Sequence, residues 1–279
     1  MQIILMSDPK IFNIQYNINP WMKGNLGKAN SDLATKQWLT LKKAIETIAR
    51  VEVIPSRELL PDLVFTANAA LLDKNKCILS HFKCSERRGE ESIFHNWFKQ
   101  QNFHIITMPK NIFFEGAGDA LFSVNGNTLW LGYGYRSDLA SADILSTELV
   151  NTVINPLKLV NPYFYHLDTC FCPLELGHVM YYPQALDNKA NQDIKSYYAK
   201  SKRIEVSEAD AKSFCCNAVC IKASLQQGFE ATVILNDCSR ELEEQLNISG
   251  YNVIKTPTSE FIKSGGATKC LTLKIPSLD

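Results

Sequence analysis

Apolar and polar positions along the chain switch repeatedly between two periods. After Ser31, Trp38, Leu41, Ile45 and Ile48 recur at spacings of three and four, which predicts an amphipathic helix with Ser31 as its cap. The run "VEVIP" then reads as a strand, followed by a turn at Pro61-Asp62 and the apolar run "LVFTANAALL". A second helix is expected over about 85–101, leading into the strand "FHIITMP". "FFEGAGDALFSV" and "TLWLGYGY", joined by "NGN", carry the pattern of a β-hairpin. The charged stretch 239–248 predicts another helix, and "YNVIKTP" another strand.

A longer period underlies this alternation. Five segments share one motif, a small or polar residue entering a short apolar strand: "TANAALL", "GAGDALF", "HLDTCFC", "CCNAVCI" and "ATKCLTL". Their anchors Asn68, Asp119, Asp168, Asn217 and Lys269 lie 51, 49, 49 and 52 residues apart. Near-equal intervals of this kind are the mark of a repeated unit. Five such units account for nearly all of the 279 residues, which predicts an α/β ring of five modules. The competing reading is two unrelated α/β halves. A ring would aim its five strand starts at one axis. Asp62, Asn68, Glu115, Asp119, His166, Asp168, Asn217 and Cys270 would then share one central cavity.

Composition narrows the partners. Lys+Arg and Asp+Glu both number 29, so no basic field favours nucleic acid or an anionic membrane surface. No apolar run approaches the roughly 20 residues of a bilayer span. The first residues lack the pattern of a signal peptide. The nine cysteines are odd in number and scattered, and read as reduced thiols in a cytoplasmic protein. A small polar ligand is the expected partner, with homo-oligomerisation left open.

Cys270 follows two glycines, at what reads as the start of a strand, and a thiol needs activation before it is a nucleophile. His166 is suited to general acid/base work. Glu115, between aromatic and small residues, reads as a buried carboxylate that needs a cationic partner. The plain alternatives are a structural thiol in a strand, a hydrogen-bonded histidine, and Asp62 as a turn residue. Arg87, in "SERRGEE", equally reads as a solvated helix start. His166, Cys170 and Cys172 form H-x3-C-x-C, a rival metal-binding pattern, although the paired C-x2-C spacing of zinc sites is missing. Phosphate-loop and dinucleotide motifs are missing too.

The motifs "PDLVFTANAALL", "FFEGAGDALF", "GYGYRSD", "FYHLDTCFCPL", "CNAV" and "GGATKCLTL" together resemble the guanidine-modifying (amidinotransferase, or pentein) superfamily. Within it the chain is most similar to the arginine dihydrolases, helped by "YNINPWM", and it also resembles dimethylarginine dimethylaminohydrolases. The resemblance implies a five-bladed α/β propeller forming one catalytic domain over residues 1–279, with no cofactor and no metal. It implies Cys270 as nucleophile, His166 as general acid/base, Glu115 and Asp168 as guanidinium ligands, and Asp119 as support for His166. By the same resemblance Arg87 and Arg136 are candidates for an α-carboxylate, while Asn19, Asp62 and Asn68 join the substrate contacts. The implied substrate is free L-arginine. The outcome divides between a dihydrolase, giving ornithine, CO2 and two ammonia, and a deiminase or dimethylarginine hydrolase that stops at citrulline. A propeller that binds arginine without turning it over is the non-enzymatic alternative. Some related chains continue into an ornithine cyclodeaminase domain, and the expectation from an end at Asp279 is that ornithine is released.

Overall fold

The computed structural model describes residues 1–223, 226 and 228–276. Its repeating unit is a hairpin, a helix and a return strand. In one unit the hairpin pairs β3 (Ala70–Asp73) antiparallel with β4 (Lys76–Leu79), and α2 (Arg88–Gln100) leads to β5 (His104–Ile106), parallel to β4. A parallel neighbour cannot be reached by a tight turn, so each unit needs a helical crossover. The same order recurs in β6 (Ala120–Phe122), β7 (Thr128–Tyr133), α3 (Ser141–Glu148) and β8 (Val153–Lys158). It recurs again in β9 (Phe171–Pro173), β10 (Val179–Tyr181), α4 (Asn188–Tyr197) and β11 (Arg203–Glu205). After a short helix, α5 (Glu208–Lys212), come β12 (Val219–Ile221), β13 (Ala231–Leu235), α6 (Arg240–Ile248) and β14 (Tyr251–Lys255).

The fifth unit is assembled from both ends of the chain. Following α7 (Ser259–Ile262), β15 (Leu273–Ile275) pairs antiparallel with β1 (Ile3–Ser7). Crossover α1 (Ser31–Glu46) then leads to β2 (Arg50–Ile54), parallel to β1. Each three-stranded sheet thus has its first strand entering from the middle of the molecule, and the sheets form a five-bladed ring.

Apolar side chains fill the spaces between sheets and helices and between neighbouring blades. Helix α1 buries Ala34, Trp38, Leu41 and Ile45 against Ile4, Met6 and Phe12. Its cap is Asn30, whose side chain accepts from the Leu33 amide, and Ser31 is already helical. Ile48 falls beyond the helix end. Helices α3 and α4 escape the sequence pattern because short crossovers display only one or two buried positions each.

The middle of the ring is polar, and the anchors sit in turns rather than in strands. Short 3-10 turns at Thr66–Asn68, Gly116–Gly118 and Leu167–Thr169 precede β3, β6 and β9. Cys270 likewise lies in a turn ahead of β15, not in the strand itself. Hydrogen bonds pass from turn to turn around the whole ring. The Asn68 amide donates to the Glu115 carbonyl (3.2 Å), and the Leu167 N–H to the Asp119 carboxylate (3.0 Å). The Asn217 amide donates to the Asp168 carbonyl (3.1 Å), the Lys269 N–H to the Asn217 carbonyl (3.1 Å) and the Ala67 N–H to the Cys270 carbonyl (3.1 Å). Polar residues recur at this period because each turn must satisfy its neighbour's backbone in a place water does not reach.

Candidate active site

Cys270 is held from two sides by one residue. The Asn217 carbonyl oxygen accepts from the Cys270 and Ala267 amides (3.1 and 3.2 Å), while its NH2 group donates to Sγ at 3.1 Å. Behind the sulfur, Asp168 accepts from the thiol at 3.5 Å. Burial first, and Asp168 second, hold the Cys270 thiol well above its ordinary range. Asp168 itself is pushed up to about 7 by burial, opposed by Lys269 and by its hydrogen bonds from Cys270 and Asn217. The nucleophile candidate is therefore a thiol in this environment, and a positive charge brought beside it would favour the thiolate.

Across the cavity, His166 Nε2 lies 2.7 Å from Glu115 Oε2. That same oxygen accepts from Arg136 at 3.1 Å. Burial would raise Glu115, but Arg136, His166 and Arg87 outweigh it and hold the carboxyl well below its usual range. Asp119 stands one layer behind, accepting from the Ser137 hydroxyl (2.7 Å) and the Leu167 amide. Burial pushes it up to about 6, against the pull of His166 and Ser137.

Arg87 is buried, not solvated as "SERRGEE" allowed. Its Nε and one terminal nitrogen bind both oxygens of Glu90 (2.8 Å each), and it also donates to Asn68 Oδ1 (3.0 Å) and the Asp62 carbonyl (3.2 Å). The Arg87 guanidinium lies over the Phe82 ring, its carbon 4.4 Å from the ring centre. Asn68 is thus fixed at both ends, and Gly118 makes room for it. A Cβ there would stand 2.1 Å from the Asn68 nitrogen. Asp62 accepts from the Tyr16 and Ser264 hydroxyls (2.9 and 3.4 Å), and burial raises it despite Arg87 and Tyr16.

The segment before α1 closes the front. Asn19 accepts from the Trp21 and Met22 amides (2.9 and 3.2 Å), capping the turn Pro20–Met22, and donates to the Ser264 carbonyl and the Tyr165 hydroxyl (3.0 and 3.3 Å). Arg136 reaches the same segment at the Ile18 carbonyl (3.0 Å), with its guanidinium 4.7 Å from the Tyr165 ring centre. Gly265, at φ 84°, lets Tyr165 and Asn19 come this close. The space left among Asn19, Asp62, Asn68, Arg87, Arg136, His166 and Cys270 is ≈ 10 Å³, about one water.

Of the residues singled out in the sequence, those seven face the cavity. Glu115 is covered by His166 and Arg136, Asp119 lies deeper, and Asp168 stands behind the sulfur. The structure adds Tyr165, Glu90 and Ser264, and gives Asn217 its part in holding Cys270. Asn217 had a signal in the repeat register, and Glu90 in its i,i+3 spacing from Arg87. Tyr165 and Ser264 had none, since their contacts span 100 residues or more. His166, Cys170 and Cys172 do not converge, because Cys170 bonds the Leu167 carbonyl and Cys172 the Ala218 carbonyl. Among the described residues no group of three His, Cys, Asp or Glu side chains is placed to hold a metal.

The model of the family "N,N dimethylarginine dimethylhydrolase, eukaryotic" matches residues 14–276. The chain belongs to the dimethylarginine dimethylaminohydrolase family. The N(G),N(G)-dimethylarginine dimethylaminohydrolase of Mycobacterium tuberculosis is 31% identical over 97% of this chain and 84% of its own length. The bifunctional arginine dihydrolase/ornithine cyclodeaminase AgrE of Nostoc is 44% identical over 97% of the chain. This chain spans 37% of the length of that bifunctional relative. The solved N-terminal domain of ArgZ, a cyanobacterial arginine dihydrolase, in a Cys-to-Ser variant bound to substrate, superposes with a TM-score of 0.93 at 43% identity. The match covers 98% of each chain. The ring of five modules expected from the repeat, and the five-bladed pentein fold implied by the resemblance, are thus the fold of this dimethylarginine dimethylaminohydrolase family member. Among its described residues no helix is long and apolar enough to cross a membrane.

Proposed function

We propose that this chain is a hydrolase of free L-arginine, acting as one catalytic unit in a reducing cytoplasm, and that it runs the reaction through to ornithine. Opening the cavity parts Arg136 from Glu115 and from the Ile18 carbonyl. One guanidinium is then free for the substrate α-carboxylate, shared with Arg87, and one buried carboxylate is free for the substrate guanidinium. The bound cation favours the Cys270 thiolate, which attacks the guanidinium carbon. A terminal C–N bond breaks with a proton delivered from His166, and ammonia leaves behind an S-alkylthiouronium. Water, deprotonated by His166, attacks the same carbon, and scission of the C–S bond yields citrulline. In a second round the thiolate attacks the ureido carbon and expels the second ammonia, leaving a thiocarbamate. Hydrolysis frees the thiol and an N-carboxylated ornithine, which loses CO2.

Asn68 carries the choice of dihydrolase. Its amide accepts from Arg87 and donates to the Glu115 carbonyl, so it offers both polarities to a neutral ureido group. A carboxylate there would face the Glu115 carbonyl without a donor and would favour a cation over citrulline. In Asn68→Asp, mass-spectrometric product analysis should show citrulline accumulating where the wild type gives ornithine. A wild-type enzyme that stops at citrulline overturns the dihydrolase reading. The family match favours a second reading, release of dimethylamine from dimethylarginine, and the same assay with methylated substrates decides between them.

A further inference from the structure

The ring has a second opening. The inner turns separate the cavity around Cys270 from a larger space at the other end of the axis, lined mostly by the strands that follow those turns. That space has a volume of ≈ 250 Å³. Its walls are mainly apolar, with Leu71, Ala120, Phe122, Phe171, Val219 and Leu273 contributed by all five blades. Val124, 48% exposed, marks the mouth.

Charges at this end are unevenly paired. Lys274 is bonded to Glu175, and at the opposite end Arg87 and Arg136 have Glu90 and Glu115. Lys269 borders the apolar space and, among the described residues, its ammonium has neither a hydrogen-bond nor an ion-pair partner. Its backbone serves the ring, donating to the Asn217 carbonyl. Burial lowers the ammonium, and the carboxyl of Asp168 is its main electrostatic counterweight. A partly buried cation facing an apolar chamber calls for an anion.

We propose that the far end of the axis is a second ligand site, taking a small monocarboxylate with an apolar body whose carboxylate pairs with Lys269. Among the described residues lining this space Lys269 is the only free cation, so a single anionic group is matched, and Asp168 and Glu175 disfavour more. The apolar walls take the remainder of the ligand, and the two lining carboxylates are already engaged, Glu175 by Lys274 and Asp168 by the Cys270 thiol, so an α-ammonium is poorly matched here, unlike in the arginine cavity. Lys269 and Asp168 also flank Cys270 and its turn. An anion bound there opposes thiolate formation, so occupancy should lower kcat without competing with arginine.

The test is calorimetric titration of the full chain with hexanoate, with 1-hexanol and hexylamine as isosteric controls. One saturable site per chain is expected for hexanoate, with both controls weaker by about tenfold or more. Lys269→Met should weaken hexanoate by about tenfold. Val124 at the mouth tolerates change, so Val124→Lys should tighten binding and Val124→Glu weaken it even if the Lys269 variant misfolds. The Cys270→Ser chain saturated with arginine should bind hexanoate as well as the free chain does. The proposal fails if hexanoate shows no saturable binding, if hexanol binds equally, or if arginine displaces it. None of these outcomes depends on which reaction Cys270 performs.

Discussion

Asn217 does at residue scale what no neighbour in sequence could do for Cys270. One amide satisfies two backbone N–H groups of the Cys270 turn and hydrogen-bonds its sulfur. It is a positioning residue, and a donor to Sγ stabilises the thiolate more than the thiol. Asn217→Ala should lower kcat by about ten- to a hundredfold, the worth of one or two charge-assisted bonds, with little change in KM. It should also move the pH profile of Cys270 alkylation upward, a shift that mere loosening of the fold would not give. Asp168 offers a second test, through pH. Its carboxyl titrates near 7 in the fold, raised from 3.8 by burial. The stability this contributes is present below the unfolded value and is lost as pH rises through the folded one. Asp168→Asn keeps a neutral side chain throughout. Its Tm relative to wild type should therefore climb between about pH 4 and 7 and level off above, as pH-resolved calorimetry will show.

At the scale of elements, the inner turns and the segment before α1 divide the work. Each turn is short and belongs to the repeat, so its polar residue could be located by counting. The front segment belongs to no repeat. It is tied down by Asn19 and by the Arg136 contact to the Ile18 carbonyl, and under the proposed function it must yield before arginine enters. Asn19→Ala removes the cap of Pro20–Met22, worth about 1 kcal/mol, along with a cavity-facing amide. The expected result is a small loss of Tm with a rise in KM of about tenfold, measured by steady-state ammonia release. An unchanged KM would leave Asn19 with only its capping role. Arg87 teaches the same lesson in reverse. Its local sequence looked like a solvated helix start, yet Glu90 three residues on and the Phe82 ring draw it inside.

Over the whole molecule, closure of the ring depends on a strand of three residues. Leu273 and Ile275 of β15 pack with Leu5 and Ile54 and connect the two ends of the chain. Leu273→Ala should cost about 2–5 kcal/mol as a buried truncation, lowering Tm by about 2–4 °C per kcal/mol. Cys270→Ser, just ahead of the same strand, should abolish turnover with little effect on Tm. Comparing these two variants by scanning calorimetry and activity separates closure from chemistry. The five-unit ring and its candidate nucleophile, histidine and acids were all legible in the chain. Repeat spacing and the chemistry of residue types are local properties that survive without coordinates. The tertiary structure alone decided that Asp168 stands behind the sulfur, that Arg136 covers Glu115, that Asn217 holds Cys270, and that Lys269 is left facing an apolar chamber. Asn217 and Asp168 lie 53 and 102 residues from Cys270 in sequence, and even Arg136 lies 21 residues beyond Glu115, so folding of the blade and closing of the ring bring them together.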